Sequence, residues 1–135
     1  MQTFLPLANF RQSAACLDRQ RLGKQRVEGY QILRTLLGIS DGWANHPATR
    51  MWRGFAPALW LYTFVVISEW QARGYANNIV LPVPPDWQLP TPLPPWLGDE
   101  RLHSSHRSNL LRKDPSHYGQ FGWADDPSAL YHWPV

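Results

Sequence analysis

Seven prolines fall within residues 82–95 of this chain. Proline has no N–H to give to a ladder and clashes with the preceding turn of a helix. The segment therefore reads as an extended connector, neither helix nor central strand. The fold has to be built from what precedes and follows it. The chain has 135 residues, and 44% of them are apolar. That is enough for one packed domain over residues 1–135 and too apolar for a disordered chain. A single cysteine, Cys16, excludes an intrachain disulfide framework and fits a reducing compartment. Residues 1–15 show no basic start followed by an apolar run, so a cytoplasmic location is expected. The longest uncharged stretch, Gly54–Ser68, spans fifteen residues. A membrane span needs about 20.

Hydrophobic spacing predicts three main helices, an all-α class. The first runs from an N-cap at Ser13 to Leu37 and stops at Gly38, with Val27, Tyr30, Leu33 and Leu37 on its core face. A short helix follows over Pro47–Arg53. The second main helix starts at Pro57 and ends at Arg73–Gly74. Leu59, Trp60, Phe64, Ile67 and Trp70 cover much of its circumference, so it should be enclosed. The third runs from Asp99 to Arg112 and is ended by Asp114–Pro115. The aromatic tail, with Tyr118, Phe121, Trp123, Tyr131 and Trp133, should pack back on the body.

The first helix carries the most chemistry. Leu17, Arg21, Lys24, Glu28, Gln31 and Thr35 recur at steps of three or four and share a face. Residues 11–34 hold six Lys or Arg against two acids, in a chain of net charge +3. Arg101, Arg107, Arg112 and Lys113 add four positive charges with no acid between residues 101 and 113. Two basic helices can make a stripe for phosphates. An ordinary solvated face is the competing reading. His103 and His106 share a face with Asp99 or Glu100 nearby, but a second Cys and a His-Glu-x-x-His pattern are missing. No metal and no other cofactor is expected. No Gly-rich phosphate loop or Gly-x-Ser-x-Gly turn is present.

Several motifs resemble one family. The run Leu17-Asp-Arg-Gln-Arg-Leu-Gly-Lys-Gln-Arg-Val-Glu-Gly-Tyr-Gln-Ile-Leu33 resembles the first-helix signature of the pyrimidine-dimer DNA glycosylase-like proteins. Asp18, Lys24, Glu28 and Gln31 are its matching elements. Asn45-His46-Pro47 followed by Trp52 is similar too, as are Glu69-Trp70-Gln71-Ala72-Arg73-Gly74 and Asp114-Pro115-Ser-His-Tyr118.

The resemblance implies a compact helical fold that binds duplex DNA, flips a base and cleaves a glycosidic bond. It also implies an N-terminal α-amine as nucleophile, forming an imine with the sugar, assisted by a glutamate of the first helix. An α-amine suits this, since such groups ordinarily titrate near about 8. The sequence departs from the pattern at two points. Gln2 is large, so Met1 should be retained and would carry the amine. An ungapped alignment from the start puts Gly23 at the place of the glutamate, with Glu28 the nearest acid.

The expected enzyme acts on damaged or modified pyrimidines in DNA, as a monomer. Glu28 would stabilise charge developing on the sugar. Lys24 would contact phosphate or replace Met1 as the amine. Arg19, Arg21, Arg26, Arg107, Arg112 and Lys113 would hold phosphates. His46, Arg50, Trp52, His106 and Tyr118 would border the pocket, with Trp52 or Tyr118 stacking on a displaced base. His103, Asp18 and Gln31 complete the expected DNA-binding set. A non-catalytic nucleic-acid module and an enzyme on a small nucleotide are the alternatives.

Overall fold

The computed structural model describes residues 1–83, 86, 87 and 90–135. Its class is all-α, with no strand among the described residues. The first predicted helix is in fact two. Helix α1 spans Phe10–Cys16, and its N-cap Asn9 accepts the N–H of Gln12 at 2.9 Å. Helix α2 spans Arg19–Leu36. Between them Leu17 and Asp18 are extended. Tertiary partners impose the break: the Leu17 side chain is fully buried, and the Asp18 N–H donates to the Tyr118 hydroxyl at 3.0 Å.

The inward face of α2 also differs from the expected one. Leu22, Gln25, Gly29, Ile32 and Leu33 are buried, whereas Val27 is 41% exposed and Tyr30 and Leu37 are half-buried. Two residues that a hydrophobicity pattern ignores rotate the helix. Gln25 is drawn inward by hydrogen bonds to the N-terminal segment. Gly29 lies against helix α4 so closely that a Cβ there would sit 2.6 Å from Thr63 Oγ1.

Helix α3 is one turn, Pro47–Arg50, capped by His46, whose Nδ1 accepts the Ala48 N–H at 3.0 Å. Helix α4 spans Ala56–Ala72, with Pro57 in its first turn, and packs against α1 and α2. It is not fully enclosed. Phe64 is 50% exposed and stacks on Trp60 at 5.3 Å between ring centroids. Helix α5 spans Glu100–Lys113 behind the Asp99 cap, and α6 spans Pro115–Tyr118.

The core gathers Leu5, Leu22, Ile32, Leu33, Trp52, Leu59 and Tyr62 with Leu102 and Leu110 of α5. Leu81, Trp87 and Trp96, in and beside the proline-rich segment, pack on it. Trp96 is buried edge-on against Trp52 at 4.9 Å and donates its indole N–H to Met51 O. Pro84, Pro85, Gln88 and Leu89 lie outside the described residues. The tail packs back as expected, with Tyr131 against Phe4 and His106 and Trp123 stacked on Tyr118. No described helix is long and apolar enough to cross a membrane.

Candidate active site

The N-terminal residues run through the protein as an ordered extended segment, with Gln2 to Pro6 all buried. Buried backbone groups need partners, and side chains of three helices supply them. Gln25 Oε1 accepts the Phe4 N–H at 2.7 Å, and Gln25 Nε2 donates to Gln2 O at 2.7 Å. The buried Tyr62 hydroxyl lies 2.7 Å from both Gln25 Oε1 and Phe4 O. On α5, His106 Nδ1 accepts the Leu5 N–H at 2.9 Å, and His103 Nδ1 lies 2.8 Å from Leu5 O. His103 Nε2 accepts the Gly98 N–H, which leaves the proton on Nδ1 to be donated to Leu5 O. The two histidines clasp both polar groups of one residue.

Glu28 completes the harness. Its Oε2 accepts the Gln2 N–H at 3.1 Å and an Nε2–H of Gln25 at 3.2 Å. Among the described residues, Oε1 accepts from none. The carboxylate borders a cleft of about 230 Å³ shared with Met1, Arg21, Lys24, Lys113 and Tyr131. Burial, opposed by Arg112 and reinforced by the Glu28 charge, pushes the Tyr131 phenol up to about 12, so it stays protonated at neutral pH. His46 feels both ends of the cleft. Burial lowers its pKa first, the Met1 ammonium lowers it further, and Glu28 pulls the other way.

Two further clefts continue from this one along α2. The next, about 620 Å³, shares Gln20, Lys24 and Glu28 with the first and adds Arg19, Gln31 and Trp70. The third, about 500 Å³, shares Val27 and Gln31 with the second and adds Arg26, Arg34 and Trp43. From Gln20 to Thr35 this groove follows the helix for about 22 Å at about 1.5 Å per residue. Glu28 is the only acid lining it among the described residues.

The structure thus brings Met1, Arg19, Arg21, Lys24, Arg26, Glu28, Gln31 and Lys113 to one groove, and separates other expected site residues from it. Trp52, His103, His106 and Tyr118 are core side chains, at most 2% exposed, so none of them stacks on a base or meets a phosphate in this conformation. Trp52 instead donates its indole N–H to Thr3 Oγ1 at 3.0 Å. Tyr118 donates its hydroxyl to the Asp18 carboxylate, which also pairs with Arg21 at 3.1 Å. Arg107 is engaged by Asp125, Glu100 and Pro6 O. Arg112 reaches Asn109, Pro127 O and Ala129 O. Arg101 pairs with Asp99 at 2.8 Å away from the groove, so the continuous basic stripe over two helices is reduced, on α5, to Lys113. Arg50 is exposed on α3 and lines none of the three clefts, and His46 stands beside the first. No described group of three His, Cys, Asp or Glu side chains could hold a metal ion.

Gln25, Arg34, Trp43, Trp70 and Tyr131 line or support the groove and were not among the expected site residues. Gln25 gave no signal, since a glutamine on a helix ordinarily faces water. Arg34 counts in the positive cluster of residues 11–34 and Trp70 in the family-like motif at the end of α4, but neither is singled out as a site residue by its position alone. The structure also separates Gly23 from Glu28. A Cβ on Gly23 would lie 3.0 Å from the Trp70 ring, in the second cleft, whereas Glu28 is the acid that meets the N-terminal segment.

The arrangement is that of a helical protein with one acid and several cations along a groove that begins at its N-terminal segment. The family model described as pyrimidine dimer DNA glycosylase matches residues 1–82, more than half of the chain, and the chain belongs to that family. The match covers α1 to α4 and the N-terminal segment. No curated protein and no solved structure matches the chain.

Proposed function

We propose that this protein is a DNA glycosylase acting on a damaged or modified pyrimidine, with its chemistry at the cleft shared by Met1, Lys24 and Glu28. One observation carries the reading: the Glu28 carboxylate is hydrogen-bonded to the Gln2 N–H, in the N-terminal cleft of a cation-lined groove. The family supports the same reaction class.

In this reading the Met1 α-amine attacks C1′ of the target nucleotide. The C1′–N bond breaks, and its electron pair leaves with the pyrimidine, which takes up a proton. The C1′–O4′ bond then opens, its electron pair and a proton going to O4′, and the amine nitrogen, having given up two protons in all, is left as an imine with C1′. Glu28 Oε1 faces the sugar and stabilises the positive charge that develops there. Arg19, Arg21, Lys24, Arg26 and Lys113 neutralise phosphates along the groove. Arg21 and Arg26 line the groove although each also has a protein partner, Asp18 and Asn77, whereas Arg107 and Arg112 line none of the three clefts and are left out.

Borohydride trapping tests this. The protein is incubated with duplexes carrying a pyrimidine dimer, an oxidised pyrimidine, uracil or an abasic site, and the adduct is located by peptide mass spectrometry. A reduced adduct on Met1 is the expected result. An adduct on Lys24 would move the nucleophile to α2. Neither adduct nor released base on any duplex would count against the glycosylase reading.

A further inference from the structure

Trp43 is the only described residue other than glycine with a positive φ, +62°. Bulky side chains are strained in this left-handed region, which glycine and asparagine occupy at lower cost. Trp43 is also 54% exposed, although few side chains gain more from burial. It therefore combines an unfavourable backbone with an unburied ring.

The surroundings hold it there. The Thr35 hydroxyl donates to Gly42 O at 2.6 Å and ties the loop to α2. The Trp43 carbonyl accepts the His46 N–H at 3.1 Å. The two rings meet edge to face at 5.8 Å, and His46 meets Trp133 in the same way. The indole lines the third cleft, where Arg26 and Arg34 are also exposed to the cavity and no carboxylate is present among the described residues. This cleft ends the groove that begins at the N-terminal segment.

We propose that Trp43 is a base-stacking residue: a nucleobase of the strand lying along α2 stacks on its indole, with the adjoining phosphate on Arg34. The strained loop serves to present the ring to that base in place of burying it. This rests on the groove being a nucleic-acid track, as the proposed function has it.

Trp43→Gly and Trp43→Asn separate stacking from structure, because both residues accept φ near +60°. Both variants should melt at or above the temperature of the unaltered protein. Both should bind a fluorescein-labelled twelve-base-pair duplex with a single-stranded extension, whose unpaired bases can stack on the indole, about 5- to 150-fold more weakly, the range that losing a stacked aromatic gives. The salt dependence should not change, since no charge is removed. Trp43→Phe should fall between. Unchanged affinity in the glycine and asparagine variants would overturn the stacking role. So would a lowered melting temperature in both, which would make Trp43 a structural residue. Complete displacement of the duplex by thymidine monophosphate would reassign the cleft to a free nucleotide. Absence of salt-dependent duplex binding by the unaltered protein would instead overturn the groove reading on which the proposal stands.

Discussion

Glu28 and Gln2 are joined across 26 residues of sequence by a single hydrogen bond, from the Gln2 N–H to Glu28 Oε2 at 3.1 Å. The bond fixes the side chain of α2 and the first peptide of the chain at once. It ties the carboxylate to the peptide that adjoins the Met1 amine.

Glu28→Gln keeps an oxygen that can accept the Gln2 N–H, so the fold should be retained. Base release in single-turnover assays should fall about 10²- to 10³-fold, with DNA affinity largely kept. Glu28→Ala removes the acceptor as well and should lower unfolding free energy by about 1–3 kcal/mol. Equal turnover in the glutamine variant and the unaltered protein would remove Glu28 from the chemistry.

The two basic residues that end α5 should behave differently in salt. Lys113 lines the first cleft, whereas the Arg112 guanidinium is engaged by Asn109 and by carbonyls of the tail. Lys113→Gln should reduce the slope of log affinity against log salt by about 0.9. Arg112→Gln should leave the slope unchanged and increase hydrogen exchange in residues 127–131. Titrations between about 50 and 200 mM salt measure both.

His106 makes stability depend on pH. Burial, with a smaller contribution from neighbouring His103, pushes its pKa down to about 3. In the unfolded chain an ordinary histidine takes up a proton near pH 6.5. Below that pH the unfolded state binds more protons, so this contribution to stability is present at pH 7 and is lost as pH falls toward 3. Protonation would also remove the lone pair on Nδ1 that accepts the Leu5 N–H. Denaturant unfolding at pH 7, 5 and 4 should show a decline steeper by up to about 1.4 kcal/mol per pH unit than in His106→Gln.

Gly29→Ala places a methyl group 2.6 Å from Thr63 Oγ1 and 3.1 Å from its Cγ2. The α2–α4 contact must open, at about 1–3 kcal/mol. Adding Thr63→Ala should recover part of the loss, because it removes both atoms that clash. A double-mutant cycle on thermal unfolding gives the coupling between the two sites.

What the sequence made legible follows from local rules. Proline stops, glycine ends and helical spacing located α4 and α5, and Gly38 and Gly74 have the positive φ that helix ends favour. The polar face with Lys24, Glu28 and Gln31 does line the groove. What escaped depends on contacts distant in sequence. Asp18 ends one helix and starts another because Tyr118, 100 residues away, binds it. Gln25 is buried because the N-terminal backbone satisfies its amide. His103 and His106 have the spacing of surface ligands, yet their partner is the backbone of Leu5. An ungapped alignment points to Gly23 because sequence position alone cannot tell which turn of α2 reaches the N-terminal segment.

The clasp on Leu5 has a consequence for the order in which the molecule is completed. Its two histidines belong to α5, beyond the stretch that matches the family, and are 98 and 101 residues from Leu5. A nascent chain that has not yet delivered α5 leaves the Leu5 N–H and carbonyl without these partners. Gln2 and Phe4 can meet their partners on α2 and α4 before that, but Leu5 is held only once α5 has docked, and the cleft at Met1 gains its Lys113 and Tyr131 walls at the same stage or later.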